Sequence, residues 1–512
     1  MKLAGERVDL EPKGISARAM LMMLSKAVSH ACFLLIAVVL ARSLDRTEFG
    51  TFNQVWLVNK ALIYLFAMGL PVSVYYFLPR LVESKRKGFI LQTMLSLAIL
   101  ALPFSISMYV LADTVAAYFH NPALAHYLRL FAVYPLMALP TVSTDAILIS
   151  LGRTRNAAMF EIVTKIAMIA VVAAAGIVGH RLDWVFEALI LHALAQLALA
   201  LWMMWQPVRA IKSHFSFADL KSQIAYAMPY GISDVVGVLN YQMDKVLMAL
   251  FYPPAVFALY AAGAFEIPLA GITSVPVLSV TMAEFTKRFA SGDIEGFLKL
   301  WHESMLKLAL PIFAVAGYLA VFAEPVVTGL FSSQYAASVW PFRIYLLFLP
   351  LRITALGQVL ASLGATKFVL TAITAALILN TVLGFVLIHS IGWVGPALSA
   401  VCSGYLFATL VMVQIQKRLK VGFDQLVPWK ALGRVGLTAV LAASGSLPVM
   451  LLQIGPVWKL AAGFAIYAAI YLTGNLKTNA ITRSDIETVR SWVSVRSRSV
   501  AGRRVLQTGT HE

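Results

Sequence analysis

The sequence predicts an all-α polytopic membrane protein of about fourteen transmembrane helices. They form two six-helix lobes related by a parallel repeat, with two more helices at the C-terminal end. Three observations predict this. Of 512 residues, 60% are hydrophobic and only 13% charged, with a mean hydropathy of +0.80; soluble domains carry about 25% charged residues, so this chain has too little polar surface for water. The apolar residues come in blocks of about twenty, the length that crosses a hydrocarbon core. One hairpin also occurs twice, early in the chain at VVLARSLDRTEFGTFNQVW and again at Asn240–Gly263, as expected of a duplicated bundle.

The blocks place spans near 19–42, 50–78, 88–111, 122–150, 156–178 and 184–206, then near 223–251, 256–285, 303–323, 337–361, 369–390 and 394–415. A last pair lies near 430–453 and 457–474. The organisation is then a cytoplasmic N-terminal segment (1–18), an N-lobe of helices one to six (19–206), a cytoplasmic linker (207–222) and a C-lobe of helices seven to twelve (223–415). Helices thirteen and fourteen (430–474) and a basic cytoplasmic tail (475–512) follow. The first apolar run has no small-residue cleavage site after it and reads as a retained helix.

Charge supports this order. With the N-terminus inside, the inner loops hold Arg80, Lys85, Arg86 and Lys87, then Arg153 and Arg155, then Arg209, Lys212 and Lys221, and later Lys287, Arg288, Lys367, Lys417, Arg418 and Lys420. The outer loops hold few bases, and Arg42 and Arg46 among them are offset by Asp45 and Glu48. This bias towards the inside predicts cytoplasmic termini. It also accounts for the net charge of +17 without nucleic acid as a partner; the partner implied is the lipid bilayer. Cys32 and Cys402 lie far apart in apolar segments and offer neither metal-ligand spacing nor a disulfide framework. No metal site is expected. Ser484-Asp485-Ile486-Glu487 in the tail can start a short surface helix.

The repeat extends beyond the hairpin. Ser150-Leu151-Gly152-Arg153-Thr154-Arg155 matches Ser362-Leu363-Gly364-Ala365-Thr366-Lys367, Arg129 matches Arg343, and Pro135 matches Pro350. With an even number of spans per copy, both copies stand the same way up and a substrate site is expected between them.

The ordered set Ala41-Arg42-Ser43-Leu44 to Glu48-Phe49-Gly50-Thr51-Phe52, Pro229 leading to Asn240, Asp244-Lys245 and Tyr260, and the two Ser-Leu-Gly turns resembles the polysaccharide transporter, or lipid-linked oligosaccharide flippase, family. That family is a branch of the multidrug/oligosaccharidyl-lipid/polysaccharide exporter superfamily. The resemblance covers most of Leu21 to Val413. It implies a V-shaped transporter of the bacterial inner membrane that moves undecaprenyl-diphosphate-linked sugar units outward by alternating access. The product serves exopolysaccharide, capsule or O-antigen synthesis, with polysaccharide polymerase and glycosyltransferases as partners. Two alternatives stay open within the superfamily: a flippase for the peptidoglycan-precursor lipid, and a drug or cation antiporter. An enzyme is not expected, since no nucleophile elbow, zinc motif or phosphate loop appears.

Each ionisable group near the bilayer centre costs at least about 2.5–3.5 kcal/mol on insertion scales, so each needs a reason. Lys26, Lys60, Arg129, Arg343 and Arg352 are the substrate-binding candidates: bases suit a diphosphate, and Arg presents a planar fork of donors to it. The repeat puts Arg129 and Arg343 on opposite lobes, where they are expected to face one another across a cationic cavity. Asp234 and Glu266, acidic and mid-helix, are candidates for a coupling ion, H+ or Na+; no other cofactor is expected. Glu161 and Lys165, four apart on one helix, neutralise each other. The Asp244-Lys245 pair falls near the outer end of helix seven, in a structural or gating role. Pro71, Pro135, Pro229, Pro268, Pro276 and Pro350 are expected to interrupt helices.

Overall fold

In hydrocarbon every backbone N–H and C=O must be satisfied within the chain, which leaves helices for a sequence of this kind. The computed structural model describes residues 15–206, 216–265, 267, 281–282, 284–478 and 480, and contains no strand among them. The first half comprises α1 (Ile15–Ser43), α2 (Arg46–Ala67), α3 (Leu70–Phe77), α4 (Glu83–Val110), α5 (Ala112–Tyr118), α6 (Pro122–Phe131), α7 (Tyr134–Ala138), α8 (Thr144–Ser150), α9 (Thr154–Ala174) and α10 (Leu182–Trp205). The second opens with α11 (Phe217–Phe251) and α12 (Pro254–Gly263).

Local chemistry sets these boundaries. Asp45 caps α2 in a reciprocal box: the Glu48 N–H donates to Asp45 Oδ1 at 2.8 Å and the Asp45 N–H to Glu48 Oε2 at 3.3 Å, satisfying two otherwise orphaned donors. Ser216 caps α11, accepting from the Asp219 N–H at 3.2 Å, so this helix starts at Phe217 rather than near 223. Met68 and Gly69 both take left-handed backbone, and the resulting break bends the second span by 41°. Pro71 lies just after that break, and Pro135 and Pro350 mark short or 3-10 helical turns. Pro229, by contrast, lies inside an unbroken helix. Pro268 and Pro276 fall outside the described residues, as do Glu266 and residues 481–512 of the tail.

Among the described residues eleven helices are long and apolar enough to cross a membrane, or twelve with the bent pair Arg46–Ala67 and Leu70–Arg80. The expected count of fourteen is not reached, for two reasons. The 35-residue α11 is long enough, but its charged residues together with uncharged polar ones such as Gln223, Asn240 and Gln242 make it less apolar than the other spans. Of the expected eighth span, α12 is short and 268–280 lie outside the described residues.

The duplication is visible element by element. In the first half α4 is followed by α5, α6, α7, a 3-10 turn (Leu139–Ser143), α8, a left-handed Gly152 and α9. In the second, Ile294–Val321 is followed by Ala323–Phe331, a 3-10 turn, Val339–Leu346, a 3-10 turn (Leu349–Ile353), Leu356–Ser362, a left-handed Gly364 and Thr366–Ser390. Both Ser-Leu-Gly turns need the positive φ that glycine adopts without steric cost. The last two long helices, Trp429–Ser446 and Pro456–Lys477, stand outside this pattern and pack on Ile294–Val321 and Ala323–Phe331. The Tyr471 hydroxyl donates to Leu310 O and the Tyr318 hydroxyl to Leu460 O, both at 2.8 Å.

The two halves meet where α2 and α3 lie against α11 and α12. At the Asp45 end, a Cβ on Gly50 would come within 1.9 Å of Pro254 O, so backbone touches backbone. Beside it Phe49 meets Tyr335 edge-on at 6.0 Å. Arg42 donates through Nε to Leu330 O at 2.7 Å and through Nη2 to Gly329 O, placing a cation on the negative C-terminal end of helix Ala323–Phe331. Towards the Arg80 end, Gly69 and Gly231 make a second close crossing, where a Cβ on Gly69 would lie 2.4 Å from Ala227 O. There Gln223 Nε2 donates to Ser73 Oγ (3.0 Å) and Thr93 Oγ1 (2.9 Å). Tyr76 stacks on Tyr226 with centroids 4.3 Å apart, and Arg80 covers Tyr76 at 3.5 Å. The lobes are thus joined at both ends.

Gly50→Val should disfavour the joined state at the Asp45 end by about 1–3 kcal/mol, the usual cost of overpacking. With Cys32 and Cys402 replaced by Ala, a cysteine at fully buried Tyr335 should then label faster with a membrane-impermeant thiol reagent. An unchanged labelling rate would refute the contact.

Candidate functional site

Charge inside this bundle is gathered in two places. The first is within the N-terminal half. Lys26 on α1 points its Nζ at Glu161 Oε2 on α9 (3.2 Å) and at Asp145 Oδ2 on α8 (3.7 Å). Glu161 therefore meets Lys26 across two helices rather than being matched solely by Lys165 one turn along its own. Lys165 lies over the Phe33 ring at 5.2 Å. The patch holds two acids and two bases, so its charge balances while its groups remain partly exposed.

The second lies where the halves meet. Lys60 on α2 is exposed and makes no hydrogen bond or ion pair among the described residues. Lys245 lies on α11, which packs on α2, so each lobe brings a lysine to the face where the halves meet. Lys245 is tied to a buried carboxylate: its Nζ lies 3.5 Å from Asp244 Oδ2 and donates to the Tyr345 hydroxyl at 3.1 Å. Asp244 has no exposed surface, and its Oδ2 accepts from the Tyr260 hydroxyl at 2.6 Å and from the Tyr345 hydroxyl. Adjacent helical positions diverge by about 100°, yet the ammonium reaches back, flanked by the rings of Tyr241 (5.4 Å) and Tyr345 (5.3 Å). The knot joins α11 to α12 and to helix Val339–Leu346.

The arginines matched by the repeat occupy equivalent places, each at a helix end in its own half. Arg129 Nη2 pairs with Asp113 on α5, with its guanidinium 6.0 Å from the Tyr109 ring. Arg343 Nε donates to Ala320 O at 3.2 Å, with its guanidinium 6.0 Å from the Trp340 ring. Neither is hydrogen-bonded to the other lobe. Arg352 is exposed on the 3-10 turn Leu349–Ile353. Asp234 is half-buried on α11, without a hydrogen bond or ion pair among the described residues. Glu266 lies outside those residues.

Sequence reasoning missed three groups. Tyr260 was within reach: it stands about as far after the Pro253 turn as Asp244 stands before it, so a hairpin puts them level. Tyr345, about a hundred residues away, carries no such signal, nor does the clasp of Arg42 on Leu330. Away from the charges, helix Ile294–Val321 and the last two helices enclose two apolar grooves. One of about 380 Å³ runs past Phe313, Gly317 and Val440, and the other of about 360 Å³ past Leu310, Tyr318 and Phe464.

The family of polysaccharide biosynthesis proteins matches residues 17–283, just over half of the chain. The protein belongs to that family. No match appears among curated proteins. Among solved structures, the lipid II flippase MurJ in an inward closed conformation superposes with a TM-score of 0.73 at 14% identity, over 89% of this chain and 98% of that one. An inward-facing multidrug resistance MATE transporter of the MOP superfamily gives 0.65 at 14% identity, over 78% and 98%. A MOP superfamily transporter from Pyrococcus furiosus, described as having a binding pocket of reverse polarity, gives 0.56 at 15% identity, over 79% and 96%. At these identities the likeness establishes the fold. This family member is a multi-pass membrane protein with the MOP transporter architecture, as its sequence resemblance implied.

The balanced N-lobe patch yields a prediction. Asp145→Asn with Glu161→Asn would leave Lys26 and Lys165 facing each other without a carboxylate, a costly state inside a membrane. The double variant should accumulate to less than half the level of either single variant in fluorescence-detected size-exclusion chromatography; equal levels would show that the patch does not stabilise the lobe.

Proposed function

We propose that this protein is a flippase for undecaprenyl-diphosphate-linked oligosaccharide repeat units in polysaccharide biosynthesis, working by alternating access in the bacterial inner membrane with both termini cytoplasmic. The observation that carries the reading is that α2 and α11 pack together across the lobe boundary, each bearing a lysine, Lys60 and Lys245. Lys245 is matched by Asp244 while Lys60 has no carboxylate partner among the described residues, so this face keeps an unbalanced positive charge that a diphosphate can meet with charge and acceptor oxygens. Family membership supplies the polysaccharide context. The apolar grooves beside the last two helices have the chemistry to take part of a prenyl chain.

Of the bases the sequence singles out, Lys60 is then the first ligand, with Lys245 joining it. Lys26 serves the patch in the N-lobe. Arg129 and Arg343 are engaged within their own halves and contribute less, as does Arg352 on its turn. Alternating access follows from the two junctions between the lobes: an outward opening has to break the contacts of Arg42, Gly50 and Phe49, and an inward opening those of Gly69, Gln223 and Tyr76. A coupling ion, H+ or Na+, and a polymerase and glycosyltransferases acting on the same substrate belong to this reading.

A second reading, a flippase for a peptidoglycan-precursor lipid, is favoured by one observation, the superposition on the lipid II flippase. A drug or cation antiporter fits less well, because the cations at the meeting face repel a cationic cargo.

In proteoliposomes carrying a fluorescent undecaprenyl-diphosphate-linked oligosaccharide, Lys60→Ala and Lys245→Ala should each slow translocation about tenfold to a hundredfold, the equivalent of losing a charge-assisted hydrogen bond of about 1.5–3 kcal/mol. Arg129→Ala and Arg343→Ala should have smaller effects. Wild-type rates in both lysine variants would overturn the diphosphate site. Faster movement of a lipid-linked muropeptide than of any oligosaccharide would favour the second reading.

A further inference from the structure

The Asp244 knot has a lopsided geometry. All three donors crowd one oxygen: Tyr260, Tyr345 and Lys245 address Oδ2, while buried Oδ1 has no partner. A fully buried carboxylate with one bare oxygen keeps its charge only while a cation stands beside it. Here that cation is Lys245, whose side chain is 17% exposed and is assigned above to the substrate. One ammonium thus serves both an internal carboxylate and an incoming phosphate.

We infer that Asp244 is a proton-exchange site coupled to the substrate: when a phosphate group draws Lys245 away, Asp244 takes up one proton. The inference rests on the diphosphate reading of Lys60 and Lys245.

A route for the proton exists in the same contacts. Lys245 donates to the Tyr345 hydroxyl at 3.1 Å, and that hydroxyl donates to Asp244 Oδ2. As the phosphate approaches and before Lys245 leaves Tyr345, a proton passes from the Lys245 ammonium to the Tyr345 oxygen while the Tyr345 proton passes to Asp244. Lys245, briefly neutral, regains a proton from cavity water. The pair begins as ammonium and carboxylate and ends as ammonium and carboxylic acid, so the net change is one proton taken from water. On release of the phosphate the steps reverse, and Lys245 returns to Asp244.

The surroundings add no competing acid among the described residues. From α11 itself Lys245 and Tyr241 face the group, from α12 Tyr260, from helix Val339–Leu346 Tyr345, and from α2 Lys60 at longer range. Helices Thr366–Ser390 and Gly395–Leu419, which also pack on α11, present Asn380 and Ser399. Asn380 donates to Asn240 O at 3.0 Å and accepts from Ser399 at 2.9 Å, and neither side chain titrates.

The test counts protons. The full-length protein in nanodiscs is titrated with undecaprenyl diphosphate by calorimetry in two buffers of different ionisation enthalpy. Wild type should take up about one proton more per ligand bound than Asp244→Asn, a comparison that cancels protonation of the ligand itself. Equal proton numbers would overturn the inference while leaving the diphosphate site intact; no binding of undecaprenyl diphosphate to the wild type would overturn both. If Asp244→Asn does not fold, infrared difference spectra of the wild type replace it. Ligand binding should then produce the carbonyl band of a newly protonated carboxylic acid that shifts in deuterated water, and its absence overturns the inference. Tyr345→Phe should bind the ligand yet slow proton uptake at least tenfold in a stopped-flow pH-indicator assay; unchanged kinetics would refute the relay.

Discussion

The structure depends on backbone meeting backbone between two lobes. Side chains set most helix separations, but here glycines bring α2 against the α11–α12 hairpin so closely that a single added methyl group has no room at Gly50, Gly69 or Gly231. Contacts of that kind have no rotamers with which to adjust. They are made or broken as units, which suits a two-state machine better than a graded one. The polar groups around them follow the same logic: Arg42 on a helix end and Gln223 on two hydroxyls bond across the lobe boundary and gain nothing from a partial separation.

Within each lobe, electrostatics acts oppositely and holds parts together. Lys26 draws three helices around one ammonium, while Arg129 and Arg343 each hold a helix end in their own half. The two arginines hold matching places in the duplication but make different contacts there, Arg129 with the Asp113 carboxylate and Arg343 with the Ala320 carbonyl. The Asp244 knot is different in kind: it has no counterpart among the described residues of the first half and lies beside the boundary between the lobes.

Much of the fold could be read from the chain. Hydropathy blocks located the spans, and the repeated hairpin exposed the duplication, which the Ser-Leu-Gly turns extended because a left-handed residue must recur wherever the path recurs. The count was less easily matched, because α11, though placed as a span near 223–251 by its apolar blocks, is polar enough to fall below the apolarity of the other spans. The site was legible in composition but not in direction. Lys60 could be singled out because an unmatched cation in an apolar helix needs a reason, whereas the direction of Arg129 depends on the position of α5, set by packing rather than by local sequence. Glu161 shows the same limit: spacing pointed to Lys165, and a neighbouring helix supplied Lys26.

The last two helices dock on one half only, against Ile294–Val321 and Ala323–Phe331. That makes the machine unequal in drag. Embedded in a viscous bilayer, the half with extra helices presents the larger wetted perimeter and turns more slowly under the same torque. In the proposed transport cycle the lighter N-terminal half would sweep the greater angle relative to the lipid. Duplication produced two matching lobes, and in that cycle the appended pair would make the C-terminal one the stator.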